Sequence, residues 1–379
     1  LDPKEWATPP FKPTMKPDGP ITAESRLYAR SSSDDKAAIV AMLTGLDAIK
    51  AAGIRMKSKI RFVFEGEEEA GSRNLEKTMA SRRDLFAADL WLMCDAPLYQ
   101  TRQQSVIFGA RGVTQVNITV YGPRTELHSG HYGNWAPNPA MSLARLLASM
   151  KDDTGRVLIK GFYEGIQPLT VDERALLRAV PDDPDGLLRL FGLAAPEPFA
   201  ESLQEAYQRP SLNIRGISAG HVGAAATNVI PSVAVASLDM RLVTETRGDA
   251  MLEKVKAHIR SQGFYLVDSD PDDATRARYR DIVKLTTTSP TEAYRVSVTT
   301  AQSKSMIDGL SRALGTPPVV LRTSGATGPM AELAAAASAP AISVQTVNFD
   351  DNQHTDNENL RLGHLFGAVR TLAAVLTLP

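Results

Sequence analysis

The sequence predicts an α/β fold: a mixed, largely parallel sheet flanked by helices, interrupted by an inserted α+β domain. Three observations carry that expectation. A helical stretch at residues 37–52 is followed by short apolar runs at 59–64 and 88–94, the alternation of a βαβ sheet. Val116, Ile118 and Val120 then alternate with polar residues, as in an antiparallel strand with one wet face. After Pro290 the first character returns, so the middle reads as an insertion. The expected division is 1–110 with 290–379 for the larger domain and 111–289 for the inserted one.

Residues 1–33 are rich in Pro, Lys and Ser and read as loop. From residue 37, Ile39, Met42, Leu43, Leu46 and Ile49 recur at helical spacing, which places them on one face, and Gly53 supplies a stop. Residues 59–64 (KIRFVF) read as a strand that runs into the acidic stretch at 65–69. Residues 88–94 read as a second strand, ending at Asp95. Beyond Gly109-Ala110-Arg111-Gly112, helices are expected at 139–150 and 249–259, and strands at 233–243 and 264–267. Residues 151–208 form an extended insert with a Pro-Asp-Asp-Pro-Asp turn at 181–185, and the sequence leaves its helicity open. The last part reads as a helix at 302–314, a strand at 319–321, a helix at 330–337, a strand at 341–344 and a closing helix at 360–376.

At 379 residues the chain exceeds what one compact core usually holds, which is why two domains are expected. A net charge of −1 gives no global electrostatic case for nucleic acid or an anionic membrane surface. No apolar run reaches the roughly 18 residues that a spanning helix needs. Cys94 is the only cysteine, which rules out an intrachain disulfide and a multi-thiolate zinc site. A reducing compartment is compatible with that, and a cytoplasmic location is the expectation.

Four acidic or imidazole sites sit just past the ends of expected strands: Asp34, the pair Glu68–Glu69, Asp95 and His354. An open α/β sheet gathers its chemistry beyond the carboxyl ends of its strands, so distant residues can meet there. Carboxylates with one imidazole suit a divalent cation, and one carboxylate is left over as a base. Singly, each has an ordinary reading. Asp34-Asp35-Lys36 could be a helix cap, the Glu run a solvated face, and His354 a loop histidine.

Their joint order, however, resembles the aminoacylase/carnosinase family of two-zinc metallopeptidases, which includes carboxypeptidase G. The matching motifs are Trp6…Pro9-Pro10-Phe11, Asp34-Asp35-Lys36, Glu65-Gly66-Glu67-Glu68-Glu69-Ala70-Gly71-Ser72, Leu127-His128-Ser129-Gly130, Thr227-Asn228-Val229-Ile230-Pro231, Arg241-Leu242-Val243 and His354…Asn357-Glu358. Gly161-Phe162-Tyr163 and Arg209-Pro210-Ser211-Leu212-Asn213-Ile214 look most like the carnosinase or cytosolic dipeptidase branch.

What this resemblance implies is a site with two Zn2+, or Mn2+ or Co2+ in their place. Asp34 would bridge the metals, Glu69 and His354 would complete one site, and Asp95 would serve the other. Glu68 would be the general base toward a water bridging the metals. His128 would reach from a partner subunit to stabilise the oxyanion, which makes a homodimer through the inserted domain part of the expectation. Asn228, Arg241, Gly325 and Thr327 match substrate-binding positions, the arginine suited to a terminal carboxylate. The resemblance also implies a cis Asp34–Asp35 peptide.

The chain departs from the family in two places. The family's first ligand motif, His-x-Asp ahead of the Trp…Pro-Phe segment, is absent from these residues, so an opening segment is expected to be missing and one metal site incomplete. Arg30-Ser31-Ser32-Ser33 replaces a Gly-rich lead-in. The expected function is zinc-dependent hydrolysis of dipeptides or short peptidyl or acyl amino acids. The alternatives are an N-acyl-amino-acid deacylase and a catalytically impaired family member.

Overall fold

A computed structural model describes residues 2–378. Its four-stranded sheet runs in the order Val319–Leu321, Ser105–Ile107, Ala341–Val344, Trp91–Met93. The two outer pairs are parallel and the central pair is antiparallel, so the expected mixed sheet is present. These strands are mostly apolar, with only Ser105 and Ser343 polar, because both faces are covered. Val106, Ile342 and Val344 pack against Met306 and Leu310 of helix Ala301–Leu314 and Val375 of helix Leu362–Leu376. Ile107, Val319 and Leu321 pack with Val180 from the 151–208 insert. Each fully buried aliphatic side chain of this kind contributes about 1.5–3 kcal/mol.

The second sheet has five strands, ordered Tyr265–Val267, Ile282–Thr287, Gly112–Tyr121, Val233–Leu242, Ser211–Ser218. Only the first pair is parallel. Gly112–Tyr121 alternates buried and half-buried residues as its sequence predicts. The buried face meets Leu143, Leu146 and Leu147 of helix Pro139–Ala148, and Met251, Val255 and Ile259 of helix Gly248–Ser261. Asn138 starts the first of these helices by accepting from Ala140 N at 2.9 Å, with Pro139 in the first turn where its missing N–H costs nothing. Ser211–Ser218 is an edge strand whose residues from Asn213 onward are exposed.

A third, three-stranded antiparallel sheet joins Thr14–Lys16, Arg26–Tyr28 and Asn359–Arg361. It corrects the reading of residues 1–33 as loop. Strands of three residues show no visible period, and the partner that stabilises them comes from the far end of the chain. The consequence is functional: the loop after Tyr28 and the loop before Asn359 are held side by side.

Other expectations also change. Residues 59–64 form no ladder with any described segment, although Phe62 and Phe64 stack at 6.1 Å. A strand needs a neighbour to satisfy its backbone, and none lies alongside among the described residues. Helix Lys36–Ala51 has the expected limits but buries Ala37, Ala38, Ala41, Gly45 and Ile49, leaving Leu43 exposed. Small residues win because helix Leu362–Leu376 passes very close: a Cβ at Gly45 would sit 3.3 Å from Val369 O and Ala373 N. The 151–208 insert holds helices Val171–Arg178, Pro184–Phe191 and Leu203–Ala206. The first opens on a reciprocal Thr170–Glu173 capping box, and Arg322 ties the insert down through Glu173 and Gln208. No described helix is long and apolar enough to cross a membrane.

The two larger sheets meet at Gly109-Ala110-Arg111-Gly112. A Cβ on Gly112 would lie 2.4 Å from Thr291 O and 2.6 Å from Ala293 N, both backbone atoms that cannot swing aside. Gly112→Ala is therefore expected to cost about 1–3 kcal/mol, read as a lower midpoint in urea. An unchanged midpoint would show that the 291–293 segment yields freely.

Candidate metal centre

The site is assembled by three turns and one strand end. The first turn is the loop ahead of helix Lys36–Ala51, where Ser31 is left-handed (φ 63°) and the Asp34–Asp35 peptide is cis, as the resemblance implies. The second is the 3-10 turn Glu68–Ala70, ended by left-handed Gly71 (φ 84°), a conformation natural to glycine. The third carries His354 between Asn352 and Asn357, and the Asn359 amide donates to Asp351 O and Asn357 O, at 3.2 Å each, to hold it. Asp95 follows strand Trp91–Met93 and buried Cys94.

Asp34, Glu69 and His354 converge. His354 Nε2 lies 3.0 Å from Asp34 Oδ2 and 3.3 Å from Glu69 Oε2, and one ligand atom from each of the three falls within 4.8 Å of the others. Asp95 lies against Asp34, close enough for their carboxyl groups to share a hydrogen bond. Glu68 shares the same electrostatic neighbourhood.

So many carboxylates cannot all ionise freely without a cation. Burial, then Asp95 and Asp34, pushes the Asp35 carboxyl up to about 8. Burial, then Asp34 and Glu68, raises Asp95 to about 7. Its surface is open to water while protein surrounds it, as for a group lining a cleft. Asp34 is raised by burial and Glu69, against the pull of His354, and Glu68 by burial, Glu69 and Asp34. The site is short of positive charge, and its oxygen and imidazole donors are those that zinc, manganese or cobalt accept. The residues fit a divalent cation. Asp34, Glu69 and His354 would hold one. Toward a second, the described residues offer Asp34 and Asp95.

A carboxyl with a higher pKa folded than unfolded holds extra protons in the native state. The contribution of these two carboxyls to stability is then fully present below the ordinary value of 3.8 and is lost as pH rises through about 7 and 8. In chelator, the protein is expected to melt at a lower temperature at pH 8.5 than at pH 5.5, and zinc is expected to abolish most of that difference. Equal melting temperatures in chelator at the two pH values would contradict the crowding of these carboxyls.

The remaining sequence candidates lie outside this trio and form two groups. Arg241 Nη1 donates to Thr327 Oγ1 at 2.9 Å, and its Nε is 3.4 Å from Asp239 Oδ2. Gly325 stands beside the Tyr207 ring, where an added Cβ would be 2.9 Å from Cε1. His128 and Asn228 are neighbours: His128 pairs with Val229 in a two-residue ladder, and Ser129 N donates to Asn228 O at 2.9 Å. The exposed His128 ring accepts from Gly130 N through Nδ1.

Sequence reasoning passed over Arg111, Tyr207 and Arg30 as site residues. Arg111 is buried, donates to Arg209 O at 2.8 Å and Ser211 Oγ at 2.9 Å, and leaves its Nε without a partner. Burial, then Arg241, lowers its guanidinium to about 10. The available signal was an arginine framed by glycines at the junction of the sheets. Burial cannot be read from that pattern.

A model of peptidase family M20/M25/M40 matches residues 2–378. The Cys-Gly metallodipeptidase dug1 of Schizosaccharomyces pombe is 28% identical over 259 residues, covering 67% of this chain and 53% of the relative. The chain thus spans about half the length of that relative. The human Beta-Ala-His dipeptidase is 24% identical over 377 residues, covering 97% of this chain and 70% of the relative. Among solved structures, the M20 family metallo-carboxypeptidase Sso-CP2 from Sulfolobus solfataricus superposes with a TM-score of 0.82 at 26% identity, covering 99% of this chain and 81% of that one.

Proposed function

The chain belongs to peptidase family M20/M25/M40, and on that premise we propose that it hydrolyses the peptide bond of dipeptides or short peptidyl amino acids with two divalent cations, zinc first among them. The observation that carries this reading is the convergence of Asp34, Glu69 and His354 from three distant segments onto one small volume. Bound there, zinc supplies Lewis-acid polarisation of the scissile carbonyl and makes hydroxide available near neutral pH.

The chain's own residues divide the remaining work. Glu68 is adjacent to Glu69 but outside the ligand trio, so its oxygens are free to accept the proton of the attacking water and return it to the leaving amine nitrogen. Arg241, with Arg111 behind it and Asp239 as the nearest acid, presents excess positive charge to a substrate carboxylate. Gly325 and Thr327 are assigned to substrate contact beside Arg241, and Asn228 to substrate contact from the group that carries His128. The relatives named for Cys-Gly and β-Ala-His suggest small dipeptides. In this reading 1–110 with 290–379 form the catalytic domain and 111–289 a lid.

His128 is assigned to the oxyanion of a partner subunit's substrate. Two features support a homodimer. His128 is exposed and lies outside the ligand trio of its own chain, and strand Ser211–Ser218 offers an open sheet edge to a second copy.

The test is a panel of Cys-Gly, β-Ala-His and other dipeptides against N-acetyl and N-succinyl amino acids, with zinc, manganese or cobalt. Dipeptide cleavage is expected. Turnover confined to acyl amino acids would favour a deacylase, and no turnover with any metal would contradict the assignment.

A further inference from the structure

Glu358 is fully buried, and none of the roles assigned above uses it. Its carboxylate accepts five hydrogen bonds. Oε1 takes Ser33 N at 3.0 Å, Ser33 Oγ at 3.0 Å and Asp34 N at 3.1 Å; Oε2 takes Ser31 N at 2.9 Å and Arg30 Nη1 at 2.8 Å. All five partners donate, so only an acceptor fits the position. Three of them are backbone N–H groups of the loop that carries Asp34, turned inward by left-handed Ser31.

The network continues to the other ligands. Arg30 Nη2 donates to Glu69 Oε1 at 2.7 Å, which leaves Glu69 Oε2 facing His354 at 3.3 Å. His354 in turn faces Asp34 at 3.0 Å and stands in the same loop as Glu358. The contacts therefore close a ring: Glu358, Arg30, Glu69, His354, Asp34 and back to Glu358 through the Asp34 amide.

We propose that Glu358 and Arg30 are positioning residues, which set the spacing of Asp34, Glu69 and His354 before a cation arrives. This rests on reading that trio as a metal site. Glu358 fixes the Asp34 loop against the His354 loop. Arg30 holds one oxygen of Glu69, so that the other is presented to the cation. Outer partners of this kind typically govern 10–100-fold in metal affinity. A merely structural Glu358 would lower stability and leave metal binding alone.

The experiment is a zinc titration against a chromophoric chelator, without substrate, of the parent, Glu358→Gln and Arg30→Lys. Arg295→Lys, which alters the half-buried Arg295–Glu245 pair (2.8 Å) outside this ring, serves as control. Cobalt(II) visible spectra report the ligand geometry. We expect zinc affinity to fall about 10–100-fold in both ring variants, with shifted cobalt bands, and to stay unchanged in the control. Should Glu358→Gln not fold, Arg30→Lys decides alone. Ring variants that fold and bind zinc within threefold of the parent, with the parent's cobalt bands, would overturn the proposal. So would a parent that takes up neither metal. Because no substrate is present, a parent that binds zinc in this way yet cleaves no peptide would count against the function reading and leave this one standing.

Discussion

Glu68→Gln is expected to lower kcat on a dipeptide by about 10²–10⁴-fold while zinc content per chain stays at the parent's level. The substitution keeps the size and one acceptor oxygen but removes the site that takes up a proton. Glu68 lies outside the ligand trio, so the cation should be retained. Its pKa lies above the usual carboxylate range through burial and the charges of Glu69 and Asp34. That direction favours proton uptake over a solvated glutamate. The diagnostic is the split between the two readouts: lost turnover with full metal. A variant within tenfold of the parent would remove Glu68 from the chemistry, and one that loses zinc would make it a ligand instead.

Asp34→Asn is expected to lose zinc affinity by at least about 10²-fold, more than a change in an outer partner, and with it measurable hydrolysis. Asp34 faces His354 at 3.0 Å and interacts electrostatically with Asp95, so either cation would feel its removal. The same change should stabilise the metal-free protein at neutral pH. Asp34 helps to raise Asp35 and Asp95, and removing its charge relieves both. A site whose deletion raises apo stability while abolishing ligand binding is held under strain for function. Calorimetric zinc binding beside melting in chelator checks the pair of effects. An Asp34→Asn protein that binds zinc like the parent would contradict the bridging role.

The elements legible in the sequence were those with both faces buried or a strong period. Strands Val319–Leu321 and Ala341–Val344 and helix Met330–Ala337 occur where expected, since mostly apolar runs and alanine stretches leave little choice. Helix Lys36–Ala51 was legible in its limits but not in its buried face. Close approach to another helix selects Ala41 and Gly45 over Leu43, and a period of large residues points the wrong way. Edge strand Ser211–Ser218 was missed because exposed strands carry polar residues and glycine without alternation. Residues 59–64 show the reverse error, β-prone residues without a partner among the described ones.

The site was legible as residue types in order, and less so as geometry. Asp34, Glu69 and His354 meet, with Asp95 against Asp34, because strand ends and turns deliver them to one cleft. What could not be read was the support beneath them. Glu358 looks in sequence like one more loop acid, and Arg30 like a departure from a glycine-rich lead-in. Their roles exist only once Ser31 turns the loop so that three N–H groups face one buried carboxylate.

Anomalous diffraction at the zinc edge from zinc-soaked crystals of this chain tests the central assignment most directly. The expected result is a peak within bonding distance, about 2.0–2.2 Å, of Asp34, Glu69 and His354, with any second peak shared between Asp34 and Asp95. Zinc bound elsewhere on the surface, with these four side chains left uncoordinated at saturating metal, would contradict it.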